Sequence, residues 1–278
     1  MTGDARPGDD DALLHVPSGA VPSGRHGEML LDLVRVMARL RGPGGCPWDH
    51  QQTHASLARH LLEETHETLD AIDANDLDRL RDELGDVLLQ VVFHAQIAAD
   101  EGAWDVDDVA EGIVRKLIRR HPHVFGDATV SGADEVLVNW ERIKAEEKGD
   151  PDAPPALEED IPATLPALAR AAKVQRRAAG WGFEWRSVDS AMAALREEVD
   201  ELGSADDADA AEAEIGDVLF AVAAVARKLG VDAETALRRT VTGFAGRYDR
   251  FMTTVRERGL DLDAMSEDEV RLLFRASR

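Results

Sequence analysis

The stretch Leu57–Ala95 decides the fold, and it reads LARHLLEETHETLDAIDANDLDRLRDELGDVLLQVVFHA. Apolar side chains recur in it at the spacing of one helix face, first as far as Ile72 and again from Leu80. The polar residues Asp73–Asp76 separate these two segments. We therefore expect two helices that fold back on each other as an antiparallel hairpin.

Carboxylates follow the same spacing on both expected helices. Glu64 and Glu67 lie one turn apart on the first helix, and Glu83 and Asp86 do so on the second. Antiparallel pairing brings them together, and like charges so close repel strongly unless a cation lies between them. Carboxylate oxygens without cysteine favour Mg²⁺, with Mn²⁺ as an alternative, and such ions also bind phosphate oxygens. The hairpin thus predicts a metal site for phosphoryl chemistry.

A second copy of this pattern follows along the chain. The repeated carboxylates are Glu198, Glu201, Glu214 and Asp217. Their order and spacing are kept with small gaps, which indicates an internal duplication of a helical unit. Gly85 and Gly216 directly precede the last aspartate of each copy. A glycine within a helix costs roughly 1 kcal/mol relative to alanine, so this position predicts a close helix approach or a nearby ligand.

Two other interpretations of the acids stay open. Most Glu and Asp side chains lie on solvated helix faces, which need no ligand. A di-iron carboxylate bundle uses the spacing Glu-x-x-His, which Glu63 and His66 match. The second copy has Glu197 and Asp200 at these positions, so the imidazole is not repeated. The duplication and the glycines favour the magnesium interpretation.

The chain as a whole is expected to be all-α, because no segment shows the strict two-residue alternation of a strand. Residues 1–27 have the composition of a disordered tail. Residues 28–148 then form the first helical unit and end with a helix over Ala133–Lys148. Residues 149–166 form a proline-rich acidic linker, and residues 167–278 form the second unit.

Composition excludes several classes of function. The formal net charge of -23 repels polyanions, so we expect no nucleic-acid partner. No apolar run approaches the roughly 20 residues of a spanning helix, and Asp9–Asp11 stand where a signal peptide carries positive charge, so we expect a cytoplasmic protein without membrane contact. The single Cys46 excludes an intramolecular disulfide and a cysteine metal site.

The acidic pattern, Glu-Glu-x-x-Glu followed by Glu-x-x-Asp, occurs twice and resembles the MazG family of nucleoside triphosphate pyrophosphohydrolases. Further stretches resemble this family in the same order. They are Gly45–Asp49, Arg119–Phe125, Trp140–Lys144, Lys173–Arg177 and Gly182–Trp185. The resemblance covers nearly everything from residue 28 onward and makes the match highly specific.

The resemblance implies four-helix-bundle units completed by a homodimer, and Mg²⁺-dependent hydrolysis of nucleoside triphosphates to monophosphate and pyrophosphate. Metal on Glu64, Glu67, Glu83 and Asp86 would then neutralise the triphosphate and orient water for attack at the α-phosphorus. Glu63 is the candidate for holding or deprotonating that water. Such an enzyme would clear ordinary or damaged nucleotides as house-cleaning. The alternatives are a nucleotide-binding regulatory protein with weak turnover, or a helical assembly module without a ligand.

The two copies differ in the residues that would bind substrate. The candidates of the first copy are Lys116, Arg120, Trp140 and Lys144. Corresponding positions in the second copy hold Gly243, Arg247, Phe274 and Arg278, and Glu197 and Arg247 are its binding candidates. Cations suit phosphate oxygens and the indole suits a base, although a solvated helix end and core packing explain the same residues. We expect the first site to carry at least as much activity as the second.

Overall fold

The computed structural model describes most of the chain and contains only helices there. The residues it describes are 27–132, 157–158 and 161–277, together with Val136, Asn139, Trp140, Ile143 and Glu147. These residues form eleven α-helices and one short 3₁₀ helix, with no strand, so the all-α prediction is confirmed. The expected tail before Gly27, most of the linker and most of the expected helix 133–148 lie outside the described residues.

The chain divides into two compact units, residues 1–149 and 150–278. The helices of the first unit are α1 (Glu28–Arg41), α2 (Pro47–Gln51), α3 (His54–Ala74), α4 (Leu77–Asp100), α5 (Val106–Arg120) and α6 (Pro122–Phe125). Helix α4 is central, because α1, α3 and α5 all pack against it. The hairpin that the sequence predicts is the pair α3 and α4.

The second unit repeats this arrangement. Its helices are α7 (Ala167–Gly180), α8 (Val188–Gly203), α9 (Ala208–Lys228), α10 (Ala233–Arg258) and α11 (Glu267–Ala276), with the 3₁₀ helix Leu262–Ala264 before the last. Helix α9 is central, with α7, α8 and α10 packed against it. Helices α8 and α9 form the second hairpin, so the predicted duplication holds in three dimensions.

Local side-chain chemistry fixes the ends of the first hairpin. Thr53 begins α3 with a capping box, in which its side chain and that of Ser56 each accept a hydrogen bond from the other residue's backbone N–H. Asn75 ends α3 in the left-handed region, at a φ of 54°. The Asp76 carboxylate then accepts a hydrogen bond of 3.0 Å from the backbone N–H of Arg79 and caps α4. The chain therefore reverses direction within the predicted polar break.

The buried core of the first unit joins three of its helices. Its members are Met37 from α1, Leu57 from α3, and Val92, Phe93 and Ile97 from α4. This core lies toward the start of α3 and the end of α4, which are adjacent because the hairpin is antiparallel.

A buried arginine fastens α2 to this core. The guanidinium of Arg41 forms an ion pair of 2.7 Å with Asp100 at the end of α4. It also donates hydrogen bonds to the backbone carbonyls of Asp49, at 2.6 Å, and Gln52, at 3.2 Å. The short helix that carries Trp48 is thereby held against α1 and α4.

Many apolar side chains of both hairpins stay exposed within the single chain. Leu62 on α3 and Leu84 on α4 belong to the predicted apolar stripes, yet each is more than half exposed. In the second unit, α10 exposes a stripe at helical spacing that consists of Leu237, Val241, Phe244 and Tyr248. None of the described helices is long and apolar enough to cross a membrane. These stripes therefore form apolar surface that the described part of the chain does not cover.

Two histidines face each other where α3 begins and α4 approaches its end. The Nδ1 atoms of His54 and His94 lie 2.7 Å apart, and Trp104 stacks on the His54 ring. This hydrogen bond needs one neutral imidazole to accept and the other to donate. Burial, and then the charge of His54, lower the pKa of His94. His94 is thus a half-buried partner in a histidine pair, whereas the sequence offers only an apolar helix around it.

We expect acid to destabilise the first unit through this pair. Because the pKa of His94 is lower in the folded state, the unfolded state takes up a proton first as the pH falls below about 6.5. The free energy of unfolding should therefore fall between pH 7.5 and pH 5.5, and it should fall less steeply in His94→Asn. The exposed His66 provides the control, because His66→Asn should keep the slope of the parent protein. Equal slopes in all three proteins would contradict the assignment.

The core predicts a clear difference between two leucines of the hairpin. Leu57 is 1% exposed, so Leu57→Ala should lower the free energy of unfolding by about 2–5 kcal/mol, since it leaves a cavity. Leu77 is 76% exposed, so Leu77→Ala should change it by less than about 0.5 kcal/mol. Urea unfolding followed by circular dichroism measures both. Similar losses in the two variants would show that the core is placed incorrectly.

Candidate metal centre

Three carboxylates converge between the two helices of the first hairpin. Glu64 comes from α3, and Glu83 and Asp86 come from successive turns of α4. One carboxylate oxygen of each lies within 4.8 Å of those of the other two. The antiparallel pairing of α3 and α4 therefore produces the convergence that the sequence pattern predicts.

The electrostatics of this cluster favour a bound cation. The pKa of Glu64 is raised, first by burial and then by the negative charges of Asp86, Glu67, Glu63 and Glu83. A positive ion among the oxygens would remove both the repulsion and the loss of solvation. Oxygen ligands with no sulfur or imidazole among them suit a hard divalent cation.

The second hairpin forms an equivalent cluster. Carboxylate oxygens of Glu198, Glu214 and Asp217 lie within 4.8 Å of one another. Burial, followed by the charges of neighbouring acids, raises the pKa of Glu198. The Oε2 atom of Glu214 is buried and has no hydrogen-bond partner among the described residues. A buried carboxylate oxygen without a hydrogen-bond partner has lost its hydration without compensation, so it is suited to bind a metal ion.

The remaining predicted acids lie around these clusters. Glu67 and Glu201 are outside the two groups of three, although the charge of Glu67 still acts on Glu64. Glu63 is 64% exposed, and its carboxylate lies 3.7 Å from Nδ1 of His60. Glu197 is likewise exposed. Adjacent residues on a helix point in different directions, which explains why Glu64 and Glu198 belong to the clusters while their neighbours Glu63 and Glu197 do not.

A positively charged side chain that the sequence analysis does not single out also contacts the first cluster. Arg79 lies one turn before Glu83 on α4, and its Nε donates a hydrogen bond of 3.0 Å to Glu83 Oε1. The corresponding position of the second unit holds Ala210, four residues before Glu214. The signal was available as an arginine four residues from a glutamate, but this spacing is common on solvated helices.

A cavity of about 240 Å³ adjoins the first cluster. It is lined by apolar side chains of α1, α3 and α4 and by the polar residues Asp49, His60, Glu64 and Gln90. Trp48 contributes its indole, which meets the ring of Phe93 edge to face at 6.5 Å. Gln90 is only 5% exposed, and its Oε1 atom is buried and accepts no hydrogen bond from the described residues. The cavity therefore offers an apolar wall and an aromatic ring beside the carboxylates.

The predicted basic residues occupy different environments. In the first unit, the Arg120 guanidinium lies 5.3 Å from the ring centroid of Trp140 and forms an ion pair with Glu147. In this ion pair Arg120 donates a hydrogen bond to the Glu147 carboxylate, which, with a smaller contribution from Arg119, lowers the pKa of Glu147 to about 2. Lys116 is exposed on α5. In the second unit, Arg247 lies over Phe274 at 5.5 Å. Lys144 and Arg278 lie outside the described residues.

Gly85 and Gly216 make no close helix contact within the described part of the chain. A Cβ atom placed on either would meet no heavy atom of the described residues within 4 Å. The prediction of a close helix approach at these positions is therefore wrong for that part of the chain. The ligand alternative is untouched by this result, because each glycine directly precedes an aspartate of its cluster.

Comparison with known proteins places the whole arrangement in a family. The family model described as the MazG nucleotide pyrophosphohydrolase domain matches residues 52–125 and 186–251, and so includes both acidic clusters. The nucleoside triphosphate pyrophosphohydrolase of Escherichia coli (strain K12) is 46% identical over 246 residues, which are 84% of this chain and 93% of that protein. The nucleoside triphosphate pyrophosphohydrolase/pyrophosphatase MazG of Thermotoga maritima is 42% identical over 239 residues, 86% of this chain and 91% of that protein. The chain therefore belongs to the MazG family and carries the MazG domain twice.

Proposed function

We propose that this chain hydrolyses nucleoside triphosphates to nucleoside monophosphates and pyrophosphate. The observation that carries the proposal is the cavity beside the first carboxylate cluster, because Glu64 belongs to both. A nucleotide has an aromatic, partly apolar end and a strongly anionic end. The cavity suits the first, and a cation on the carboxylates suits the second. The names of the relatives from Escherichia coli and Thermotoga maritima describe the same activity.

The cation that we propose is Mg²⁺, with Mn²⁺ as the alternative. Its ligands in the first unit would be Glu64, Glu83 and Asp86, and Glu67, whose charge acts on Glu64, is a further candidate. Bound there, the ion would neutralise phosphate charge and activate water for attack on phosphorus. Glu198, Glu214 and Asp217, together with Glu201, would hold a second ion in the other unit.

The nucleoside would enter the cavity between α1, α3 and α4. At about 240 Å³ it is smaller than the roughly 300–1,000 Å³ that encloses a whole small ligand, so it suits the base with part of the sugar. The indole of Trp48 offers stacking to the base. Lys116, Arg120, Trp140 and Lys144 are the proposed contacts for the phosphates and the outer part of the nucleotide. Glu63, which is exposed, serves the attacking water only if its side chain turns inward.

A second copy of the chain is the partner that we propose for the exposed apolar stripes. The stripe of Leu237, Val241, Phe244 and Tyr248 follows one face of α10 over about three turns, and such a continuous face is typical of a self-complementary helical interface. The net charge of -23 argues against a polynucleotide on any large surface. We further propose a cytoplasmic location and a house-cleaning role toward ordinary or damaged nucleotides.

Product analysis tests the reaction. With Mg²⁺ and a mixed pool of nucleoside triphosphates, we expect equal amounts of monophosphate and pyrophosphate, and no turnover after chelation by EDTA until Mg²⁺ is restored. Anion-exchange chromatography separates these products from diphosphate and orthophosphate. Release of orthophosphate with diphosphate would contradict attack at the α-phosphorus. The same assay with oxidised nucleotides compares the rates on ordinary and damaged substrates, which are the two parts of the proposed house-cleaning role.

Separate substitutions test which cluster turns substrate over. At saturating Mg²⁺, Glu64→Gln should remove at least half of the total activity, because we expect the first site to be at least as active as the second. Within each altered site, loss of a ligand should lower turnover by at least about 100-fold. Glu198→Gln is the matched variant of the second cluster. Full activity in Glu64→Gln with loss in Glu198→Gln would reverse the ranking.

The dimer proposal predicts an effect of charge on the α10 stripe. Val241 is 59% exposed, so Val241→Glu should leave the fold of the single chain intact while placing an unpaired charge in the proposed interface. Analytical ultracentrifugation should show a dimer for the parent chain and a monomer, or a much weaker dimer, for the variant. Leu229→Glu alters an exposed leucine outside this stripe and should stay dimeric. A monomeric parent chain would refute the proposal.

A further inference from the structure

Arg79 is hydrogen-bonded to one carboxylate of the first cluster and lies within electrostatic range of two acids on the other helix. Its Nε hydrogen bond to Glu83 is 3.0 Å long, and the side chain of Glu83 is only 14% exposed. The hydrogen bond to Glu83, and then the charges of Glu83, Asp70 and Glu67, raise the pKa of Arg79. Two of these acids, Asp70 and Glu67, belong to α3 rather than to the helix of Arg79. The guanidinium therefore already supplies positive charge where the cluster repels itself.

The second cluster is built without this guanidinium. When Glu83 and Asp86 are aligned with Glu214 and Asp217, Arg79 corresponds to Ala210. The carboxylate that Arg79 binds in the first unit has, in the second, a buried Oε2 atom with no hydrogen-bond partner among the described residues. Each cluster thus has three carboxylates of its own. They differ because the first cluster also contains the positive charge of Arg79, and the second has Ala210 at the corresponding position.

We propose that Arg79 is a resident counter-ion that competes with the divalent cation for Glu83, so that the second cluster binds metal at a lower concentration than the first. The inference rests on the metal sites of the proposed function and concerns their order of loading. To bind Glu83 fully, a metal must either displace Arg79 or accept a positive charge beside it. At Glu214 it meets a buried oxygen that no described residue hydrogen-bonds.

Simple electrostatics sets the size of the expected difference. Displacing an exposed ion pair between residues four apart costs about a factor of two in affinity. Leaving a charge of +1 at about 5 Å from a charge of +2 costs roughly 15-fold at the dielectric constant of water, and less once salt screens the charges. Because Glu83 is mostly buried, its pair with Arg79 is stronger than a fully exposed pair. We therefore expect the two clusters to differ in metal affinity by about threefold to tenfold.

Exchange of one residue between the units tests the proposal on the full chain. Mn²⁺ binding to the metal-free protein is measured by the paramagnetic resonance signal of free Mn²⁺, without nucleotide and without an assay of activity. Glu64→Gln and Glu198→Gln each disable one cluster, so the other can be titrated alone. Arg79→Gln should tighten the first cluster by about threefold to tenfold, and Ala210→Arg should weaken the second by a similar factor.

A matched control separates the local contact from the change in net charge. Arg81 lies on the same helix and pairs with the exposed Asp78 and Asp82, outside the three-carboxylate group. Arg81→Gln should therefore change the affinity of the first cluster by less than about twofold. Circular dichroism confirms that each variant keeps the helical content of the parent chain.

The possible results are distinguishable. A tighter second cluster, together with opposite shifts in Arg79→Gln and Ala210→Arg, supports the proposal. Equal affinities in the parent chain, or an effect of Arg79→Gln no larger than that of Arg81→Gln, overturn it and leave the two metal sites standing. No Mn²⁺ binding at either cluster overturns this inference together with the metal part of the proposed function.

Discussion

Repulsion among carboxylates held together by a helical hairpin is the constraint on which this structure depends. The oxygens of Glu64, Glu83 and Asp86 lie within 4.8 Å of one another, an arrangement that separate helices would not keep. The buried core of the same hairpin, around Leu57 and Val92, holds α3 and α4 together. Burial of apolar surface between the two helices therefore stabilises the concentration of charge that they carry.

The sequence predicts those parts of the fold that depend on neighbouring residues. The reversal between α3 and α4 follows from local chemistry, and so does the convergence of Glu64 with Asp86. Residues that depend on distant partners could not be found in this way. His54 contacts His94 across forty residues, and Gln90 is buried only because other helices pack around it. Periodicity alone also did not predict which apolar stripes are buried, because an apolar helix face can pack against another chain as well as against the core.

Because of the duplication, one chain contains two arrangements of residues around a cluster of repelling carboxylates. Both hairpins keep three carboxylates together, and both raise the pKa of the glutamate on their first helix, Glu64 or Glu198. They differ in the residues around the acids, from Arg79 against Ala210 to Trp140 against Phe274. The acids alone therefore do not determine how each site behaves, since the neighbours set the local charge and the shape.

The anchoring of α2 has a consequence for how this protein can change over evolution. Arg41 ties the backbone at Asp49 and Gln52 to Asp100, so the turn that presents Trp48 is fixed to α4. A wall held in this way does not adapt to a new ligand by moving its backbone. A change in what the cavity binds is accessible mainly through replacement of the side chains on that wall, one residue at a time, while the hairpin behind it is preserved.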